Sequence, residues 1–170
     1  MIKLALFDLG ETLISKGKPF PGAVAALEAL GKLKTAAGQP LVLGLVSDYH
    51  PPAPPGGEAG IAAREEEYRA ILETAGLERL FRPFAERVTL STRAGASKPA
   101  RKVFERAAER SGTGADLSEC LFVTEEPAHL VKAKGHGLVA VRFGAGPGFE
   151  PAFAAWDDAP AVLGKLVAGG

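Results

Sequence analysis

The chain has 170 residues, 46% of them hydrophobic, and its 20 basic and 20 acidic side chains give a formal net charge of zero. This length suits one domain, residues 1–170, because a folded chain of this size hides roughly 70% of the surface that it exposes when unfolded. The balanced charge argues against binding nucleic acid or an anionic membrane through bulk electrostatics. No apolar run reaches the roughly 20 residues of a membrane span, and the single cysteine, Cys120, has no partner for an internal disulfide. We therefore expect a cytoplasmic globular protein without a membrane segment.

Short apolar runs alternate with segments of helical periodicity along the chain. Five apolar runs predict buried strands at residues 2–7, 41–46, 88–90, 121–123 and 138–143. Helices are predicted between and after them, at residues 21–38, 61–75, 99–108, 126–134 and 162–167. Strands that are apolar on both faces and separated by helices indicate an α/β fold, in which helices cover both faces of a parallel sheet.

Two segments are predicted to be irregular. Seven of the ten residues at 51–60 are Pro or Gly, a composition that predicts a loop rather than a helix or central strand. This loop follows the second strand, as either a mobile flap over a site or a long connection. Residues 144–160 are predicted to be a loop that precedes the closing helix of a C-terminal segment, 144–170. Its Phe149, Phe153 and Trp156 are expected either to cover one edge of the sheet or to form a contact in a homo-oligomer.

Polar residues follow the predicted strands at the edge where ligands bind in parallel sheets. They are Asp8, Ser47, Asp48, Lys98, Thr124, Glu125 and Glu126. Neighbouring carboxylates repel one another, so such a cluster needs a lysine, a cation or a raised pKa. Mg²⁺, which prefers oxygen ligands, would satisfy it. The alternative is that each acid only caps the helix after its strand.

The pattern resembles the four motifs of the haloacid dehalogenase (HAD) superfamily. Residues 7–13, Phe-Asp-Leu-Gly-Glu-Thr-Leu, are similar to the first motif, Asp-x-Asp-Gly-Thr-Leu, and residues 45–47 resemble the second, a strand that ends in Ser or Thr. Residues 91–99, Ser-Thr-Arg-Ala-Gly-Ala-Ser-Lys-Pro, resemble the third, in which a lysine opens a helix. Residues 121–129 lie where the fourth motif, Gly-Asp-x-x-x-Asp, is expected.

The resemblance implies a three-layer Rossmann-like core and, in active members, an aspartate nucleophile, which Asp8 matches. It also implies that Ser47 donates a hydrogen bond to a phosphoryl oxygen and that Lys98 offsets negative charge. The family's metal ligands correspond here to Asp8, the backbone carbonyl of Gly10 and Glu125, with Mg²⁺ as the expected cofactor.

The first motif departs from the family pattern at Gly10. The family's phosphatases carry there a second aspartate, which protonates the leaving group and later activates water, whereas glycine has no side chain to do so. General acid–base catalysis is typically worth about 10²- to 10⁴-fold in rate. Glu11, Asp48 and His50 are candidate substitutes for this acid. Asp48 also stands where the family commonly has Asn, and its charge would repel a phosphoryl group.

The fourth motif is degenerate as well, because Thr124 and Glu125 replace Gly-Asp. Glu126 and His129, which replaces the second acid of this motif, are further candidate metal ligands. The segments on either side of Ser47 leave room for a hairpin, loops and helices, but not for a substantial cap domain.

Two interpretations from different classes follow. The first is a capless HAD-like hydrolase, a Mg²⁺-dependent phosphatase whose open site takes a phosphorylated substrate with weak or atypical activity. The second is a catalytically impaired protein of the same fold that serves as a binding or regulatory module. A phospho-acceptor receiver domain shares the parallel sheet and an aspartate at a strand end, but the Ser-Lys-Pro segment and the spacing of the fourth motif disfavour it.

Overall fold

A parallel sheet forms the centre of the computed structural model, which describes residues 1–169. In chain order the strands are β1 (Leu4–Phe7), β2 (Ile14–Ser15), β3 (Lys18–Pro19), β4 (Val42–Ser47), β5 (Val88–Leu90), β6 (Cys120–Thr124), β7 (Val139–Phe143) and β8 (Ala152–Phe153). Six of them pair in the order β5-β4-β1-β6-β7-β8, while β2 and β3 form a separate antiparallel hairpin. All five predicted strands are confirmed.

Helices cover both faces of this sheet. They are α1 (Ala23–Leu30), α2 (Gly57–Thr74), α3 (Phe84–Arg87), α4 (Ser91–Ala94), α5 (Arg101–Arg110), α6 (Pro127–Gly135) and α7 (Ala159–Ala168). Alternate residues of β1 point to two separate hydrophobic clusters, Ala5 and Phe7 to the one with α1, α2 and α7, and Leu4 and Leu6 to the one with α5 and α6. The predicted α/β fold with helices on both faces is therefore confirmed.

The first predicted helix is too long at its carboxyl end. The prediction placed its end at residue 38, whereas α1 ends at Leu30 with Gly31 as its C-cap. The residues that follow form turns and an isolated bridge between Lys34 and Pro40 instead. The prediction fails because Gly31, seven residues before the Gly38 that was taken as the end, already ends the helix, although Leu33 continues the apolar spacing.

The prediction that residues 51–60 form only a loop is wrong at its carboxyl end. Residues 57–60 make the first turn of α2, and Gly56 before them has a φ of 90°. A Cβ atom added at Gly60 would lie 1.9 Å from the carbonyl oxygen of Pro55. The loop therefore packs so closely onto the first turn of α2 that this position admits only glycine.

The C-terminal segment contains structure that the sequence did not predict. Strand β8 lies inside the predicted loop at 144–160 and pairs in parallel with β7. Phe153 and Trp156 are buried, and their rings pack against each other and against Phe143, with centroids 5.0 and 5.4 Å from that of Trp156. The segment thus covers the edge of the sheet at β7 through strand β8, while the Trp156 ring also packs against Phe7 of the central strand β1, with centroids 6.0 Å apart. Oligomerisation stays a prediction.

The insertions on either side of β4 are small. The segment before it contains the β2–β3 hairpin and α1, and the segment after it contains α2, a 3₁₀ turn at Glu78–Phe81 and α3. Within residues 1–169 neither insertion builds a separate cap, as predicted. In the same part of the chain, no helix combines the length and the apolar character needed to cross a membrane.

Candidate active site

The carboxyl edge of the sheet gathers the polar residues that follow three neighbouring strands. Strand β1 lies between β4 and β6, and Phe7 is in register with Leu45 of β4 and Val123 of β6. Asp8, the residue after β1, donates its backbone N–H to the Val123 carbonyl at 3.0 Å. Its carboxylate therefore stands between the ends of β4 and β6, where Ser47 and Thr124 are the last residues.

Asp8 is buried and bound on both carboxylate oxygens. Its Oδ1 accepts hydrogen bonds from the Lys98 ammonium at 2.5 Å and from the Leu9 backbone N–H at 2.8 Å. Its Oδ2 accepts one from the Thr124 hydroxyl at 3.1 Å. The Lys98 side chain is only 3% exposed, and that of Asp8 is 10% exposed. The structure thus brings together the candidate nucleophile and the candidate charge-neutralising lysine, 90 residues apart in the chain.

The loop that carries Lys98 is held by the residues after β4. Asp48 Oδ1 accepts the backbone N–H of Lys98 at 2.9 Å. The buried Ser91 hydroxyl accepts the Tyr49 N–H at 3.0 Å and donates to the His50 carbonyl at 2.9 Å. Asp48 is therefore engaged in orienting the third-motif loop, which gives its carboxylate a structural role at the position where the family commonly has an amide.

A second carboxylate lies beside Asp8. Glu125 Oε2 accepts a hydrogen bond from the Thr12 hydroxyl at 2.5 Å and lies 3.3 Å from the Thr124 hydroxyl. The same Thr124 hydroxyl bonds Asp8, so two carboxylates adjoin one group that has a single proton to donate. Such a pair of like charges favours a cation between them.

The oxygen atoms at this point are of the chemical kind that Mg²⁺ prefers. The candidate ligands are the carboxylates of Asp8 and Glu125 and the carbonyl of Gly10, which accepts no hydrogen bond from residues 1–169. Mg²⁺ commonly takes one or two carboxylates and keeps several waters. Across residues 1–169, no group of three or more His, Cys, Asp or Glu side chains is placed to hold a metal. An ion here would therefore depend on the carbonyl and on water as well as on two carboxylates.

Two of the candidate substitute acids are held away from this cluster. Glu11 has a φ of 53°, and its carboxylate oxygens accept hydrogen bonds from the Ser15 hydroxyl at 3.0 and 3.1 Å. His50 has a φ of 63°, and its Nε2 lies 3.7 Å from Glu67 Oε2. The structure therefore gives both side chains partners outside the Asp8 cluster.

There is free space around Gly10, the position at which the acid is missing. A Cβ atom added at Gly10 would meet no atom within 4 Å, apart from its immediate chain neighbours. The backbone thus leaves room for a side chain at the place where the family's phosphatases carry their second aspartate, and this chain provides none.

The two further candidate ligands of the fourth motif have different positions. Glu126 is the N-cap of α6, and its exposed carboxylate accepts the Ala128 N–H at 3.3 Å, as the capping alternative expects. His129 lies half-buried in the first turn of α6, and its Nδ1 has no hydrogen-bond partner within residues 1–169. Neither side chain joins the Asp8 cluster through a hydrogen bond in that part of the chain.

Two residues near the site, Thr12 and Tyr68, were not singled out as candidate site residues from the sequence, whereas Thr124 was expected at this edge. The Thr12 hydroxyl donates to Glu125, the Thr124 hydroxyl contacts both Asp8 and Glu125, and both residues are fully buried. The position of Thr12 in the first motif was the signal that could have identified it. Tyr68 falls within the predicted helix at residues 61–75 and lies beside the site: burial raises the pKa of its hydroxyl, the Ser47 hydroxyl lowers it by less, and the Asp8 charge adds a smaller increase.

Comparisons with known proteins support the fold. No protein-family model and no curated protein matches the chain. Among solved structures, a HAD-superfamily hydrolase from Ehrlichia chaffeensis is 13% identical, with a TM-score of 0.68 over 98% of each chain. L-2-haloacid dehalogenase from Xanthobacter autotrophicus is 14% identical, with a TM-score of 0.68 over 96% of this chain and 98% of that one.

A third solved structure agrees with these two. A HAD-superfamily hydrolase from Geobacter sulfurreducens, of subfamily IA, is 13% identical and has a TM-score of 0.65 over 93% of this chain and 97% of that one. At such low identity the likeness concerns the arrangement of the backbone, and it extends over nearly the whole of each chain. The protein therefore has the fold of the HAD-superfamily hydrolases.

Proposed function

We propose that the protein is a capless, Mg²⁺-dependent phosphatase that acts on a phosphorylated substrate in the cytoplasm, with Asp8 as its nucleophile and with weak or atypical activity. One observation carries this proposal. The buried Asp8 carboxylate is bound by Lys98 and Thr124 and adjoins the carboxylate of Glu125. The Lys98 ammonium and the two carboxylates, of Asp8 and Glu125, form a cluster that is suited to holding a phosphoryl group against a carboxylate nucleophile.

The reaction consists of two displacements at phosphorus. A carboxylate oxygen of Asp8 attacks the phosphorus atom, and the bond to the ester oxygen breaks with its electron pair on that oxygen. Water then attacks the phosphorus of the acyl phosphate, which releases phosphate and restores Asp8. The Lys98 ammonium offsets negative charge on the phosphoryl oxygens, and the Ser47 hydroxyl donates to one of them. A Mg²⁺ ion, when bound, supplies Lewis-acid stabilisation of the same oxygens.

The departing oxygen determines which substrates react well. Gly10 offers it no proton, and Glu11 and His50 are bound to Ser15 and Glu67. An alkoxide therefore leaves without a general acid, which costs about 10²- to 10⁴-fold in rate. An aryl oxide is a stable anion and needs little protonation, so we expect aryl phosphates to be the better substrates.

The same observation supports a second candidate function. If the missing acid abolishes turnover, the cluster around Asp8 and Lys98 still offers a cation and hydroxyl donors to an oxyanion. The protein would then be a catalytically impaired binding or regulatory module with the same fold. The two candidates differ in turnover, so one assay on an aryl phosphate separates them.

Hydrolysis of para-nitrophenyl phosphate tests the proposal. We expect measurable turnover that disappears when a chelator removes Mg²⁺, and a loss of at least about 10³-fold in Asp8→Asn, because the nucleophile is gone. Asp157→Asn, which alters an exposed aspartate before α7, is the matched control and should retain activity. An Asp8→Asn protein with full activity would refute the assignment. No turnover, together with no Mg²⁺ binding at millimolar concentration by calorimetry, would favour the impaired module.

A further inference from the structure

Tyr68 carries a buried hydroxyl that the fold alone does not explain. The residue lies in α2, is 2% exposed, and packs its ring edge-on against Tyr49 with centroids 5.3 Å apart. Within residues 1–169 its hydroxyl has no hydrogen-bond partner. A buried hydroxyl without a partner destabilises the folded state, so phenylalanine would serve the core better at this position.

The polar neighbours of this hydroxyl belong to the candidate active site. They are the buried Ser47 hydroxyl and the buried Asp8 carboxylate. Ser47 follows Leu45 by two residues in β4, so its side chain points to the face of the sheet where Leu45 and Tyr68 belong to one cluster. Burial raises the pKa of Tyr68 far above its ordinary value; the Ser47 hydroxyl lowers it by less, and the negative charge of Asp8 adds a still smaller increase. The hydroxyl therefore keeps its proton at any physiological pH and is available as a donor.

The helix that carries Tyr68 is held in place beside the site. Arg93, in α4, donates two hydrogen bonds to the carboxylate of Glu65, at 2.8 and 2.6 Å, and Glu65 lies one turn before Tyr68 in α2. The next turn carries the fully buried Leu72. The turn of α2 that carries Tyr68 therefore has anchors on both sides of it.

We propose that Tyr68 is a positioning residue for oxyanion binding: when a phosphate or phosphoryl group is bound beside Asp8, the Tyr68 hydroxyl donates a hydrogen bond to Ser47 Oγ, and Ser47 directs its own proton to that group. A serine hydroxyl has one proton to donate and two lone pairs to accept with, so one donor behind it and one acceptor before it satisfy the group. The role rests on the proposed function, because that function supplies the phosphoryl ligand. Tyr68 itself is covered and acts only through Ser47.

Calorimetric titration with inorganic phosphate, in the presence of Mg²⁺, tests this role in a double-mutant cycle. We expect Tyr68→Phe to weaken phosphate binding about three- to tenfold, the equivalent of one hydrogen bond. Ser47→Ala should weaken it at least as much, and Tyr68→Phe should cause no further loss when Ser47 is already alanine. Tyr49→Phe is the matched control, because its hydroxyl already donates to the exposed Glu67 at 3.3 Å, whereas that of Tyr68 has no partner within residues 1–169.

Thermal unfolding completes the experiment. Tyr68→Phe should melt at the same temperature as the unaltered protein or higher, because it removes an unpartnered hydroxyl, while phosphate binding becomes weaker. Unchanged phosphate affinity in Tyr68→Phe, a loss that persists in the Ser47→Ala background, or a lowered melting temperature would overturn the role. Absence of phosphate binding and of turnover in the unaltered protein would overturn the proposed function and this role together, whereas the other outcomes leave the proposed function intact.

Discussion

Two lysine–carboxylate pairs lie at opposite edges of the same sheet and differ in their surroundings. Lys98 and Asp8 at the carboxyl edge are 2.5 Å apart, with side chains 3% and 10% exposed. Lys3 and Glu119 at the amino edge are 2.7 Å apart, with side chains 36% and 24% exposed. Solvent screens the second pair, which therefore contributes little to stability. Burial of the first pair costs desolvation, so its presence is better explained by chemistry than by stability.

Adding the missing acid to the carboxyl edge should have the largest effect. We expect Gly10→Asp to raise the hydrolysis of alkyl phosphates by up to about 10²- to 10⁴-fold, because the new carboxyl group protonates the leaving oxygen. The open space around Gly10 admits this side chain. Steady-state kinetics on an alkyl and an aryl phosphate measure the effect, which should be much smaller on the aryl ester. Gly10→Asn, of equal size but without an acid, should show no gain.

Removing the lysine from each pair contrasts the two edges directly. Lys98→Met should lower aryl phosphatase activity about 10²- to 10³-fold, because it deletes a preorganised cation at the phosphoryl site. Lys3→Met is the matched control: it removes the same charge from the exposed pair and should leave turnover unchanged. Equal losses in the two variants would contradict a special role for the buried pair.

The segment after β7 also stabilises the carboxyl edge of the sheet. The Trp156 indole N–H donates to the Thr12 carbonyl at 2.9 Å, and the ring is 1% exposed. We expect Trp156→Ala to lower the free energy of unfolding by about 3–5 kcal/mol, as for other large-to-small changes in cores. Phe149→Ala, at a half-buried ring in the same segment, should cost far less. Denaturant unfolding compares the two, and similar losses would show that Trp156 has no particular structural role.

The exposed pair of Lys3 and Glu119 should have a small effect, which is seen only in how the stability of the protein changes with pH. The hydrogen bond from Lys3, with the backbone of Asp116, lowers the pKa of Glu119 from its ordinary value of 4.5. Its stabilisation is therefore present above that value and is lost as the pH falls through the lowered one. Glu119→Gln should melt slightly below the unaltered protein at neutral pH, and the difference should vanish in acid. The exposed Glu66→Gln is the control, and a difference that grew in acid would contradict the lowered pKa.

The sequence predicted the parts of the fold in which a hydrophobic pattern extends over several consecutive residues. Runs that are apolar on both faces predicted the strands of the central sheet, and the polar residues that end them predicted that Asp8 and Lys98 meet. Strand β8 was missed because its two residues are too few to form a pattern. The first turn of α2 was missed because its start is set by the left-handed backbone at Gly56, in a segment whose composition is typical of loops.

Side-chain direction at the site could not be predicted in the same way. The direction of Glu11 follows from a φ of 53° and from the Ser15 hydroxyl, neither of which a motif specifies. The Thr124 hydroxyl reaches Asp8 only because β1 and β6 pair in one register, with Phe7 beside Val123. Residue type and spacing therefore indicate which edge of the sheet carries the chemistry, while turn geometry and register determine which groups face each other.

The close packing of Gly60 on the Pro55 carbonyl affects how a ligand enters the site. Arg93 reinforces this packing, because it also donates to Glu58 in the first turn of α2 at 2.6 Å. The segment beside the end of β4 is thus joined to the helix at one end and to the sheet at the other. We expect ligand entry without an opening step, so that the association rate depends on diffusion and ionic strength and shows no plateau at high ligand concentration.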